Sequence, residues 1–426
     1  MNLAGAAGQR GVVLLVMVAI LMLGSTFLVV QRLNRVSEAV ELDQRTAHAL
    51  AEAREALLGW SLGHPVRPGM LPYPDRNNDG NYDGNSDCPA GAVANNMLLG
   101  RLAWLGQTAP CVAPLAGVGV NVTDGAGERL WYAVSRNLLY QPGAGGYPMI
   151  SPALLNTGAN WLTVRDEFGN TLSDRVAAVI LAPGSALRGQ NRAAAAPGAA
   201  NYLDSVTLGA TTYSNADFDG VFIAARRGDD FNDRLIYITA DDLVALAERR
   251  VVRETRQCLA AYATVSGGKY PWAARLDPGA MPEYGGDFGE TFGRIPATLN
   301  VDASAGTPDA VMQTAWPGGC FTAGSYWDDW RETVFYQLAP AFQPGGAAVC
   351  PVCADLNGAG GNQVIALGAG GELAAQARTS AAEKGTPANY LEGENATPAD
   401  LSFEGRAGDA TFNDQAMCLG AAAACQ

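Results

Sequence analysis

Apolar residues run without a charge from Gly11 to Val30, and from Gln31 onward they thin out to helical spacing among charged neighbours: Leu33, Val36, Val40, Ala47 or His48, Leu50, Ala51, Leu57 and Leu58. The uncharged run has the length a helix needs to cross a bilayer core. The pattern therefore predicts a transmembrane segment over 12–30 that continues as an amphipathic helix until Gly59 and Gly63-His64-Pro65 stop it. A second helix is predicted in "ADDLVALAERRVVRETRQCLAAYATV", with Asp241 as N-cap, an apolar stripe of Leu243, Leu246, Val251, Leu259 and Tyr262, and Gly267-Gly268 as its end. Short runs rich in β-branched and aromatic residues read as strands: "RLWYAVS", "AAVILAP" and "RLIYITA" before this helix, "TVFYQLA" and "QVIALGA" after it.

The strand motifs recur in order. "LPYPD" at Leu71 pairs with "KYPWA" at Lys269, "GRLAW" at Gly100 with "GRIPA" at Gly293, and "DGAGERLWYAV" at Asp124 with "DDWRETVFYQL" at Asp328. "RVAAVILAPGSAL" at Arg175 pairs with "NQVIALGAGGEL" at Asn362, "NYLD" at Asn201 with "NYLE" at Asn389, and "DDFNDRL" at Asp229 with "ATFNDQA" at Ala410. One repeat of domain size, not a short-period solenoid, keeps such an order. Each copy opens on a helix and continues into a small antiparallel sheet, so the expected class is α+β: a long N-terminal helix, then two tandem domains over 31–239 and 240–426. Trp131, Tyr132, Phe335 and Tyr336 are expected in the core.

Composition narrows the partners. The formal net charge of -14 leaves no basis for neutralising phosphates, so no nucleic acid is expected. The eight cysteines, Cys88, Cys111, Cys258, Cys320, Cys350, Cys353, Cys418 and Cys425, sit in loop contexts without zinc-type spacing and read as disulfide candidates in an oxidising compartment. Cys350-Pro-Val-Cys353 has a redox alternative, but its Gly- and Ala-rich surroundings offer nothing to lower a thiol pKa. His48 and His64 are the only two histidines. With no nucleophile beside a visible base and no paired-carboxylate motif, no enzymatic activity is expected.

A short polar leader, Gly11 before the apolar run in "QRGVVLLV", and an amphipathic extension of the same helix resemble the prepilin N-terminus of type IV pilins and type II secretion pseudopilins. The order of head motifs is similar to pseudopilin-like proteins as well. The resemblance implies a leader over 1–11, cleavage by prepilin peptidase between Gly11 and Val12, and packing of the mature helix against other pilin or pseudopilin subunits. It further implies an inner-membrane stage before assembly, with periplasmic or extracellular domains. The family's glutamate at the fifth mature position falls on Val16, as in certain minor subunits placed at a filament tip. The implied function is a minor pilin or pseudopilin-like structural subunit. The alternative is an uncleaved, membrane-anchored binding protein or adhesin.

One segment stands outside the repeat. In "LPYPDRNNDGNYDGNSDCPAG", Asp75, Asn77, Asp79, Asn81, Asp83 and Asp87 alternate in two overlapping registers around Asp-Gly pairs. Alternating oxygen side chains with a Gly at the turn are what a calcium loop supplies, so calcium is the expected cofactor, with Ser86 where a bidentate Glu would stand. The competing reading is a string of Asx turns. A Cys88 to Cys111 bridge would stiffen the same loop. The clusters around Asp217 and Asp219, and around Asp229, Asp230 and Asp233, are read as solvated turns.

Overall fold

The computed structural model describes residues 7–65, 67–76, 82–107, 109, 111, 117–141, 150–156, 158, 160–193, 197–276 and 284–420; within the first helix, side chains are described at 15–23, 25 and from 37 onward. That helix, α1, runs Ala7–Gly63 and passes through Gly59 without a break. Its described apolar side chains at 15–23 rise about 14 Å at 1.5 Å per residue, against a bilayer core of about 30 Å. Among the described residues no helix is long and apolar enough to cross a membrane. This corrects the expected transmembrane segment over 12–30, and with it the placement as a single-pass inner-membrane protein. Gly11 and Val12 are helical in backbone, but their side chains are outside the described residues, as are residues 1–6 of the expected leader.

The α+β expectation is corrected too, because the body after Gly63 is built mainly on β-sheet. Two six-stranded sheets share one strand order. The first takes β1 (Leu99–Arg101), β2 (Trp131–Val134), β3 (Leu162–Asp166), β4 (Thr171–Ala182), β5 (Val221–Ala224) and β6 (Arg234–Thr239), in the order β1-β2-β4-β3-β5 with β6 on the free side of β4. α2 (Ala240–Val265) follows directly. The second sheet takes β7 (Phe292–Arg294), β8 (Val334–Leu338), β9 (Ala354–Leu356), β10 (Ala359–Gly368), β11 (Ser402–Phe403) and β12 (Gln415–Gly420), in the order β7-β8-β10-β9-β11 with β12 on β10. The long strands β4 and β10 are the spines. Val176 to Ala182 and Val364 to Leu367 are buried on both faces, which is why they read as continuous apolar runs and not as alternation.

Register follows the repeat residue by residue. Trp131 faces Leu181 and Tyr132 faces Ile180 in the first sheet; Phe335 faces Leu367 and Tyr336 faces Ala366 in the second. The Tyr132 hydroxyl donates to the Pro72 carbonyl (3.2 Å), and the Tyr336 hydroxyl to the Pro271 carbonyl (2.7 Å). Asp75 and Arg101 exchange backbone hydrogen bonds, as do Ala274 and Arg294. A Cβ on Gly100 would collide with the Asp75 carbonyl, and one on Gly293 with the Ala274 carbonyl, so the Gly-Arg pair of each half is fixed by close backbone approach.

α1 packs on the first sheet through Ala49, Leu50, Ala53 and Leu57, and α2 on the second through Val244, Val251, Val252 and Leu259. The N-cap of α2 is Thr239, whose hydroxyl accepts from Asp242 N (3.0 Å), so the expected Asp241 cap is corrected: β6 runs straight into the helix, and the capping residue is the last extended one. The halves meet at the end of α1. Arg250 on α2 donates to the Leu62 and His64 carbonyls left open there, and Arg67 pairs with Asp329 (2.6 Å). His64 is buried, and desolvation, followed by the charges of Arg250 and Arg67, lowers its pKa to about 4. Disulfides join Cys88 to Cys111, Cys258 to Cys320 and Cys350 to Cys353; Cys418 is also disulfide-bonded. Cys425 lies outside the described residues.

Candidate functional site

Each half carries the same buried polar network at the end of its spine strand. In the first, Arg192 donates from Nη1 to Gly184 O (2.7 Å), from Nε to Asn201 O (2.9 Å), and from Nη2 to Gln190 Oε1 (2.8 Å) and Tyr202 O (3.3 Å). In the second, Arg378 makes the same set to Gly370 O (2.8 Å), Gln376 Oε1 (2.8 Å) and Tyr390 O (3.4 Å), with Nε on Asn389 O (2.6 Å). Each guanidinium lies over the ring of its own Tyr, 4.7 Å from Tyr202 and 4.5 Å from Tyr390. Above the same rings stand Arg101, over Tyr82 and Tyr202, and Arg294, over Phe335 and Tyr390.

The carboxylates of "NYLD", "NYLE" and the two "FND" motifs complete it. Gln190 donates to Asp204 Oδ1 (2.8 Å), and Asn232 N donates to Asp204 Oδ2 (2.7 Å); Gln376 donates to Glu392 Oε1 (2.5 Å), and Asn413 N to Glu392 Oε2 (2.9 Å). Asp204 N and Asn215 Nδ2 donate to Asp233 Oδ2 (2.8 and 3.0 Å), matched by Glu392 N and Asn395 Nδ2 on Asp414 Oδ2 (2.9 and 3.0 Å). Asp233 is thus buried inside the fold and not in a solvated turn, which corrects the sequence reading; Asp229 and Asp230 are exposed as read. Burial raises Asp204, and burial with the neighbouring Asp204 raises Asp233 well above the usual carboxylate range. Burial and the neighbouring Glu392 do the same to Asp414.

The network joins three chain segments: the turn after the spine strand, the Asn-Tyr-Leu turn, and the entry to the last strand. It holds backbone in place through side chains. The motif halves Asn-Tyr-Leu and Phe-Asn-Asp are visible in sequence. The Gln-x-Arg that links them, Gln190-Asn191-Arg192 and Gln376-Ala377-Arg378, escaped that reading. It stands eleven residues before Asn201 but thirteen before Asn389, so a fixed offset does not find it.

The acidic loop is placed in part. Asp75 is buried and accepts from Gly84 N (2.7 Å); Asp87 is buried and accepts from Arg76 N (2.5 Å); Asp83 accepts from Asn85 N and Nδ2 (both 2.7 Å). The Asp83 bonds form a turn, and those of Asp75 and Asp87 close the base of the loop. Asn77, Asp79 and Asn81 lie outside the described residues, and among the described residues no group of three or more His, Cys, Asp or Glu is placed to hold a metal ion. Comparison with protein-family models, curated proteins and solved structures gave no match.

Glu248 on α2 faces the second network. It is buried, and desolvation, then the charges of Asp414 and Glu392, push its carboxyl well up, against the pull of Arg378 and Arg249. An unfolded chain loses such protons near pH 4, whereas Glu248, Asp233 and Asp414 keep theirs to higher pH when folded. Unfolding above pH 4 therefore releases protons, and stability falls as pH rises through the folded pKa values. His64, with its pKa lowered to about 4, works in the opposite sense below pH 6.5 and equally in both proteins, so denaturant melts at pH 5 and pH 8 should show the change in stability to be less unfavourable to pH 8 in the Glu248→Gln variant than in the wild type. A larger loss in the variant contradicts this.

Proposed function

We propose that the chain is a structural subunit of the minor-pilin or pseudopilin kind, which joins an assembly through the apolar part of α1 and presents two network-held heads. The observation that carries the reading is exposure: Leu15 is 71%, Leu21 73% and Leu23 72% accessible, and Met17, Ile20 and Met22 are exposed between them, so apolar side chains face outward on all sides of the helix over 15–23. Such a surface is costly in water and favours burial against similar helices. The heads support the reading by contrast. Their polar networks hold turns, as a rigid scaffold requires. Absence of the pairing glutamate at Val16 fits a subunit at the end of an assembly, where one neighbour is missing.

Sedimentation velocity on the full chain tests this. The wild type should run as a concentration-dependent oligomer, and the Met17→Lys/Leu21→Lys variant, one helical turn apart on one face, as a monomer with an unchanged melting transition of the heads. A monomeric wild type across the concentration range overturns the proposal.

A further inference from the structure

The second half carries a buried carboxyl group where its twin has a hydroxyl. Fourteen residues before the buried aromatic near the end of each helix, Trp60 in α1 and Tyr262 in α2, stand Thr46 and Glu248, both buried. Thr46 is satisfied: its hydroxyl donates to Leu42 O (2.9 Å) and accepts from Gly125 N (2.9 Å). Glu248 is 1% exposed, and its Oε1 has no hydrogen-bond partner. It lines a cleft of about 470 Å³ between the halves, whose wall also includes Asn413, Gly370 and Gly371. Asn413 Oδ1 is likewise buried without a partner.

The charged ends of the two arginines lining this cleft have partners, although the Nε of Arg175 is buried without one. Arg175 pairs with Asp241 (2.7 Å), and Arg249 donates to Gln415 Oε1 (3.1 Å). At the Glu248 and Asn413 end the cleft offers acceptor oxygen, and buried acceptors of this kind call for a donor. We propose that the cleft binds a primary ammonium group, with Glu248 Oε1 and Asn413 Oδ1 as its innermost acceptors. An ammonium brings three donors and no acceptor on a compact head; as it binds, the Glu248 proton leaves to solvent, and the charge-assisted bond to the resulting carboxylate in a shielded site is strong. A hard divalent cation fits less well, since it wants six to eight oxygens and the described residues bring no third metal-type side chain into place. A guanidinium fork is better matched to two parallel acceptors of one carboxylate than to a carboxylate and an amide.

Calorimetric titration of the full chain with two amines tests the site: 1,4-diaminobutane stands for a free amine, and Nα-acetyl-lysine amide for a partner's lysine side chain. The wild type should bind at least one of them saturably, the tighter arm showing the source. Glu248→Gln and Glu248→Thr, the latter installing the twin's residue, should each weaken it tenfold or more while keeping a cooperative melt. Either variant that folds decides the outcome. No saturable heat with either amine, equal binding by wild type and variant, or heat with calcium chloride that the Glu248→Gln variant loses overturns the proposal.

Discussion

Replacing Arg378 with Met is expected to destabilise the second half by about 3–5 kcal/mol, the cost of removing one member of a buried charged network and leaving its partners uncompensated. The guanidinium holds the Gly370, Asn389 and Tyr390 carbonyls and Gln376 Oε1, and Gln376 in turn orients Glu392. Met keeps much of the side-chain volume, so the loss is polar and not a cavity. Arg192→Met should act on the first half in the same way, through Gly184, Asn201, Tyr202 and Gln190. Adding Glu392→Gln to Arg378→Met should recover part of the loss, because one stranded carboxylate is removed. Denaturant unfolding followed by tryptophan fluorescence measures all three. A cost under about 1 kcal/mol for both arginines would mean that the networks are incidental.

Removing the Cys258 to Cys320 disulfide, by Cys258→Ala and Cys320→Ala together, is expected to cost about 4 kcal/mol on the chain-entropy account. The bridge closes a loop of sequence separation 62, the longest among the described disulfides, from the last third of α2 to the segment that carries Phe321, Tyr326 and Trp327 against the core. The Cys350 to Cys353 bridge has a sequence separation of only 3, so its removal should cost far less. Melts of the two double-alanine variants compare them directly; equal losses would contradict the loop-length argument.

Much of the sheet was legible because its strands are short runs with strong character. "RLWYAV" and "TVFYQL" place Trp131 with Phe335 and Tyr132 with Tyr336, and the structure sets each pair at the same register against its spine. The last strand of the second half was not legible: Gln415–Gly420 is "QAMCLG", with small residues where the first half has "RLIYIT", and only Cys418 in it is buried. The networks were half legible. Asn-Tyr-Leu and Phe-Asn-Asp repeat as words, but a turn of variable length shifts the arginine that unites them. Asp75 and Asp87, read as calcium ligands, are buried, and each accepts a backbone N–H at the loop's base, from Gly84 and Arg76, a placement that composition does not foretell. The membrane reading rested on a length of apolar sequence, and the described part of that helix is too short to carry it.

The assembly claim is tested most directly by placing a photo-crosslinking amino acid at Leu21 of the full chain and identifying by mass spectrometry what it captures. The account predicts adducts with apolar helical peptides of other subunits, lost on moving the label to the buried Leu57. Capture of nothing but solvent at Leu21, with the heads folded, would contradict it.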